Sequence, residues 1–136
     1  MSNNTQYSSV PVLIGNTFPL VLVRRKTIIA PYPLGELKAR LAAVGVERII
    51  SFWGHKDTLP VANATLGVDV TPRIDRPVLS LSPDSLPMLF GHTFDEVFIL
   101  SPDYKSGIRP ALGAVVAVEA IASWQVLKIT FTEEKQ

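Results

Sequence analysis

The chain has 136 residues, of which 47% are hydrophobic and 18% charged, a balance that supports one buried core and excludes an extended polar chain. Thirteen Lys and Arg against twelve Asp and Glu leave a formal charge of +1, too small a basic excess for a dedicated duplex-nucleic-acid binder that works by neutralising phosphates. The absence of cysteine excludes disulfides, thiolate nucleophiles and Cys-ligated zinc or iron–sulfur centres. Apolar runs such as Ala111 to Val118 are far too short to span a bilayer. The opening MSNNTQYSSV has neither the basic nor the apolar region of a secretory signal. A cytoplasmic protein with no membrane partner is expected, with a flexible tail over 1–9, a single domain over 10–132 and a short tail over 133–136.

In chain order, Val10 to Ile14 reads as a buried strand ending in a turn at Gly15-Asn16, since Asn tolerates positive φ. Leu20 to Val23 and Thr27 to Ala30 are apolar, β-branched runs, one bent strand or two, around Arg24-Arg25-Lys26. That basic triplet is expected to be a solvated edge that discourages strand-to-strand association. A helix is predicted with Pro33 in its first turn, because Leu34, Leu37, Leu41 and Val44 share one face, Glu36 and Arg40 form an i,i+4 pair, and Gly45 can stop it. Val46 to Trp53 follows as a strand. A second helix is predicted from Thr58 to Leu66, capped by Asp57 and stopped by Gly67, with Pro60 confined to its first turn.

Beyond a Pro-rich connection, strands are predicted at Val78 to Leu81 and Val97 to Leu100, separated by a loop reaching about Asp95. An irregular stretch to Gly113 and a short helical or extended piece at Val118 to Ile121 lead to a last strand, Trp124 to Thr132. There Val126, Lys128 and Thr130 alternate with Leu127, Ile129 and Phe131, the pattern of a sheet with one buried face. The elements together predict an α/β (α+β) fold, a compact mixed sheet of about five strands with two to three short helices.

Most catalytic templates are missing. The sequence has no P-loop, no GxGxxG and no GxSxG. Its two histidines, His55 and His92, lack metal-ligand spacing, so neither a metal site nor a cofactor is expected. What remains is Ser51-Phe52-Trp53-Gly54-His55-Lys56-Asp57-Thr58, at a predicted strand-to-helix turn. Free amides and the positive helix end favour a phosphate there. Gly54 admits close backbone approach, Lys56 adds charge, and His55 can supply a proton. The same residues also serve as ordinary turn chemistry. Trp53 and Trp124 are read as core or interface aromatics rather than base-stacking platforms.

In three places the chain resembles a family of small viral ring nucleases, type III anti-CRISPR proteins that degrade cyclic tetra-adenylate. The first is Leu13-Ile14-Gly15-Asn16-Thr17-Phe18, similar to that family's strand followed by Asn, a small residue and Phe. The second is Ser51, Gly54, His55 and Thr58 before a helix closing on Leu66-Gly67, with Arg76 ahead of the next strand. The third is the order of Val97 to Leu100, Gly107, Glu119 and Trp124 to Phe131. The resemblance covers about Val12 to Phe131. It implies a homodimer in the host-cell cytoplasm, binding a cyclic oligoadenylate across its two-fold axis, where symmetry supplies each contact twice. It also implies metal-independent attack of a ribose 2′-hydroxyl on phosphorus, with His55 as general acid. Backbone amides from Gly54 to Asp57 would hold the phosphate, with Lys56 alongside, and Asn16, Ser51 and Thr58 would contact ribose or phosphate.

The chain departs from that family in the late loop. Alignment on Gly107 puts Asp103 and Ser106 where the family has Arg and Glu, while Lys105 and Arg109 carry positive charge nearby. Two other readings stand beside ring cleavage. One is a non-catalytic sponge for a cyclic nucleotide or NAD-derived signal, and the other a protein-interaction module contacting its partner through Leu86 to Phe90.

Overall fold

Val12–Gly15 (β1) is an unbroken apolar run buried along its whole length, as a strand flanked on both sides requires. It lies between Ile49–Ser51 (β3) and Glu96–Tyr104 (β7), parallel to both. The computed structural model describes residues 11–54, 58–72, 77–105 and 118–135. Within them, β7 pairs antiparallel with Ile121–Lys135 (β8), which pairs antiparallel with Arg25–Pro31 (β2). The resulting mixed sheet has five strands in the order β2-β8-β7-β1-β3. The strands expected at Val97 to Leu100 and Trp124 to Thr132 are thus the inner parts of a longer pair.

Leu34–Val44 (α1) buries Leu37, Leu41 and Val44, as their spacing predicts, and ends where Gly45 takes a φ of 83°; Pro33 stands extended just before the helix rather than in its first turn. Leu59–Leu66 (α2) ends at Gly67 in the left-handed region, with φ of 76°. Both helices lie on one face of the sheet, where Leu37, Leu41, Ala62 and Leu66 join Ile14, Phe98 and others in one core cluster. The other face is covered as well. Ser80–Leu81 (β4), Pro87–Leu89 (β5) and His92–Thr93 (β6) form a small antiparallel sheet. Leu79, Leu89 and Phe94 from this region pack with Leu13, Ile50, Val97, Ile129 and Phe131 in a second cluster.

Several expectations are corrected. The β5–β6 hairpin occupies the stretch expected to be a loop, turning at Phe90 and Gly91 with φ of 52° and 78°. The sheet is covered on both faces rather than one, because Val126 faces the helices while Ile129 and Phe131 face the small sheet. Leu20–Leu22 is a 3-10 turn, its Leu22 amide donating to Pro19 O at 3.0 Å. Val46–Arg48 is another such turn, closed by Arg48 N–H to Gly45 O at 3.0 Å. In both, a Pro or Gly immediately upstream redirects a run whose composition suits a strand.

Arg25 is also not a solvated edge. It is buried, with Nε donating to Asp84 O and Nη1 to Thr132 O, each at 2.9 Å. One guanidinium thereby ties the β4–β5 turn to β8 through charge-assisted hydrogen bonds to two backbone carbonyls.

Arg40 crosses from α1 to the sheet, its Nη2 lying 2.6 Å from Glu96 Oε1, while Lys128 Nζ lies 2.8 Å from Glu96 Oε2. Burial alone would raise the Glu96 pKa, but hydrogen bonds and charge from Lys128 and Arg40 outweigh it and hold the carboxyl below its ordinary value. A carboxyl depressed in the folded state adds stability above its unfolded pKa and loses it as pH falls through the folded one. Glu96→Gln is therefore expected to flatten the acid limb of stability. Urea midpoints at neutral and acid pH check this, and a loss on acidification equal to that of the wild type rejects it.

Candidate functional site

The parallel strands β1 and β3 end side by side, and their continuations leave to opposite faces of the sheet. Beyond β1, Phe18, Leu22 and Val23 pack into the cluster beneath the small sheet. Beyond β3, Phe52 still packs into that same cluster, and from Trp53 onward the chain turns to the helical face, where Trp53, Ala62 and Leu66 pack with α1. A crevice opens at such a divergence, outside the carboxyl ends of the strands, and in open α/β sheets that is where ligands sit.

Two expected site residues meet there. The Gly54 amide donates to Asn16 Oδ1 at 3.0 Å, joining the segments that follow β1 and β3. The ladder runs up to this point, with Phe52 N–H donating to Ile14 O at 3.0 Å. Gly15 is needed for packing: a Cβ there would lie 2.5–2.7 Å from three atoms of the Phe52 ring. Phe18 meets the same ring edge-on at 6.4 Å between centroids. The Asn-Thr-Phe segment is thus held at its start by Gly54 and at its end by an aromatic contact.

Ser51 and Thr58 are placed differently from expectation. Both are buried, and both accept hydrogen bonds from Trp53: its amide to Ser51 Oγ at 3.2 Å and its indole Nε1 to Thr58 Oγ1 at 3.1 Å. Trp53, itself buried, bridges the end of β3 and the start of α2. Thr58, not Asp57, takes the position preceding the helix, and its hydroxyl engages the indole. This bridge was missed in the sequence, where its only trace is a tryptophan five residues before a helix-initiating threonine. Thr58→Val should cost about 1–3 kcal/mol by stranding a buried indole N–H, with Thr58→Ser nearer to wild type. Urea midpoints of the two variants test the difference, and equal midpoints would reject the bridge.

Lys105 does not join this cluster within one protomer. Ile99 of β7 lies level with Gly15, and at about 3.3 Å per residue Lys105 is roughly 20 Å further along the strand. It is exposed on the arm where β7 and β8 continue past the sheet, its amide donating to Ala120 O at 2.9 Å. Asp103, on the same arm, accepts from Ser123 Oγ at 3.4 Å. His55, Lys56, Asp57, Arg76, Ser106, Gly107 and Arg109 lie outside the described residues.

Beside the Asn16–Gly54 contact is a cleft of about 410 Å³. Asn16, Thr17 and Gly54 line its polar end, while Pro19, Phe52, Pro77, Val78 and Leu79 line the rest. Among the described residues, no group of three or more His, Cys, Asp or Glu could hold a metal ion. No helix among them is long and apolar enough to cross a membrane.

Fold and site together define an α/β domain with a cleft at the carboxyl ends of parallel strands. Its fold is similar to that of B116 of Sulfolobus turreted icosahedral virus (STIV), with a TM-score of 0.56 and 14% sequence identity, covering 88% of this chain and 98% of that one. No family model matches the sequence, and no curated protein does.

Proposed function

We propose that the protein is a metal-independent ring nuclease that opens a cyclic oligoadenylate and so shuts off type III CRISPR defence. The observation that carries this reading is the Asn16–Gly54 hydrogen bond at 3.0 Å, beside a cleft at the ends of two parallel strands. It joins two of the segments on which the resemblance rests. In this reading the protein acts as a homodimer, each protomer presenting one cleft to a ring-shaped ligand. The Asn16 carboxamide, its oxygen engaged by Gly54, directs its NH₂ donors at ribose or phosphate. Lys56 offsets the charge of the phosphate and the amides of 55–57 donate to it, while Ser51 and Thr58 anchor Trp53 between β3 and α2. Lys105 brings positive charge from the late arm, and Arg109 adds a second.

The chemistry is an in-line displacement. The ribose 2′-oxygen forms a bond to the adjacent phosphorus and gives its proton to solvent. The bond from phosphorus to the 5′-oxygen breaks, and His55 protonates that oxygen, leaving a 2′,3′-cyclic phosphate end. A sponge that binds without cleaving is the second reading. It is favoured by Asp103, an acidic group on β7 hydrogen-bonded to Ser123, where the ring-nuclease family carries Arg.

The test is incubation with cyclic tetra-adenylate in the presence of a chelator, followed by chromatography and mass analysis. Linear product ending in 2′,3′-cyclic phosphate supports the nuclease. Ligand recovered intact from denatured protein makes it a sponge. Absence of any nucleotide-dependent thermal shift rejects both and leaves a protein-interaction module.

A further inference from the structure

The cleft has two chemically different parts. At one end stand the Asn16 carboxamide and the Gly54 backbone, and the remaining wall is hydrocarbon from Pro19, Phe52, Pro77, Val78 and Leu79. Phe52 is 7% exposed and forms part of the floor, whereas Val78 on the rim is 77% exposed. Leu20 and Val21, directly after Pro19 in the chain, are 76% and 74% exposed. Folding therefore leaves aliphatic side chains in water on the lip at Val78 and next to the lip at Pro19, over a floor that includes Phe52. Contiguous exposed apolar surface of this kind marks a place that something covers.

The chemistry of the lips selects the occupant. A nucleobase has two apolar faces and a polar rim, and it gains by pressing those faces against flat hydrocarbon while its rim stays hydrated. The polar end of the cleft suits the sugar and phosphate attached to such a base. Size points the same way, since about 410 Å³ is near the lower end of the roughly 300–1,000 Å³ typical of ligand sites. That is room for one nucleotide, not for a whole ring of four.

We infer that Pro19 and Val78, over a floor that includes Phe52, form a nucleobase subsite that takes one base per protomer. The sugar–phosphate of that nucleotide lies toward Asn16 and Gly54. The inference rests on the nucleotide reading above and adds a selectivity to it. The side chains of Pro19, Phe52, Pro77, Val78 and Leu79 carry no hydrogen-bond donor or acceptor. The subsite therefore grips base faces and does not read base edges, so one purine substitutes for another.

The test titrates the full chain with adenosine 5′-monophosphate, inosine 5′-monophosphate and ribose 5-phosphate, and separately with cyclic tetra-adenylate. The two purine nucleotides should bind alike, each about tenfold or more tighter than ribose 5-phosphate. Val78→Ser should narrow that gap and Val78→Asp should erase it. Both variants change one exposed side chain, and circular dichroism confirms that each is folded. Equal binding of adenosine monophosphate and ribose 5-phosphate, with cyclic tetra-adenylate still bound, overturns the subsite and leaves the nucleotide reading standing. Failure of every nucleotide to bind overturns both. A drop in sedimentation mass in Val78→Asp with the gap unchanged assigns the lips to a second copy of the chain and overturns the subsite.

Discussion

Phe98→Ala is expected to lower the melting temperature by roughly 10–20 °C, the larger stability effect of any single truncation considered for this fold. Phe98 is 1% exposed and sits on β7, between β8 and β1. Its ring is 5.0 Å from that of Tyr32, and the Arg40 guanidinium lies over it at 5.0 Å. Truncation leaves a cavity in the helical-face core and removes the aromatic surface under a partly buried cation. Phe→Ala changes at such sites cost about 3–5 kcal/mol, a large share of the roughly 5–15 kcal/mol that holds a domain folded. Val46→Ala, at a side chain 54% exposed, is the control and should move stability by no more than about 0.5 kcal/mol. Differential scanning calorimetry measures both. A Phe98→Ala shift as small as the control's would mean that the helical face is not packed as described.

The parts of the fold that were legible in the sequence are those whose cause is local. The spacing of Leu37, Leu41 and Val44 with Gly45 after them states where α1 faces and where it stops, because both follow from helical geometry alone. β1 and the inner parts of β7 and β8 were legible as apolar or alternating runs. Hidden features depend on residues far apart in sequence. Arg25 looks like a surface cation until Asp84 and Thr132, 59 and 107 positions away, bring carbonyls to it. The β5–β6 hairpin turns on Phe90-Gly91, and a bulky aromatic at positive φ gives no turn signal of the Asn-Gly kind. Without that small sheet, β8 is naturally read as having one wet face.

The site divides along the same line. Asn16 and Gly54 could be named from sequence because a short motif marks each, although their mutual hydrogen bond depends on β1 and β3 being neighbours. Ser51 and Thr58 belonged to the same motif, yet burial gives their hydroxyls to Trp53. A motif reports which residues recur together and is silent on which of them face the cleft. Lys105 illustrates the converse, since its charge suits a phosphate and its strand carries it along the arm away from Asn16.

His55→Ala is expected to slow opening of cyclic tetra-adenylate by about a hundredfold or more while the ligand still binds, because proton donation to a departing oxygen typically contributes about 10²–10⁴-fold. Binding persists since the contacts assigned to the ground state come from Asn16, the turn amides and the apolar cleft, none of which the imidazole supplies. A loss confined to the chemical step identifies a group that acts in the transition state, whereas equal loss of binding and turnover identifies one that holds the substrate throughout. Single-turnover rates with excess protein measure the first, and calorimetric titration of a slowly cleaved phosphorothioate ring measures the second. Asn16→Ala is the contrasting variant: it frees the Gly54 amide from its 3.0 Å partner and should weaken ligand binding as well as turnover. If His55→Ala cleaves at the wild-type rate, the general acid is some other group. If the wild type itself releases its ligand intact, the acidic Asp103 on the late arm marks a protein that captures the messenger without destroying it.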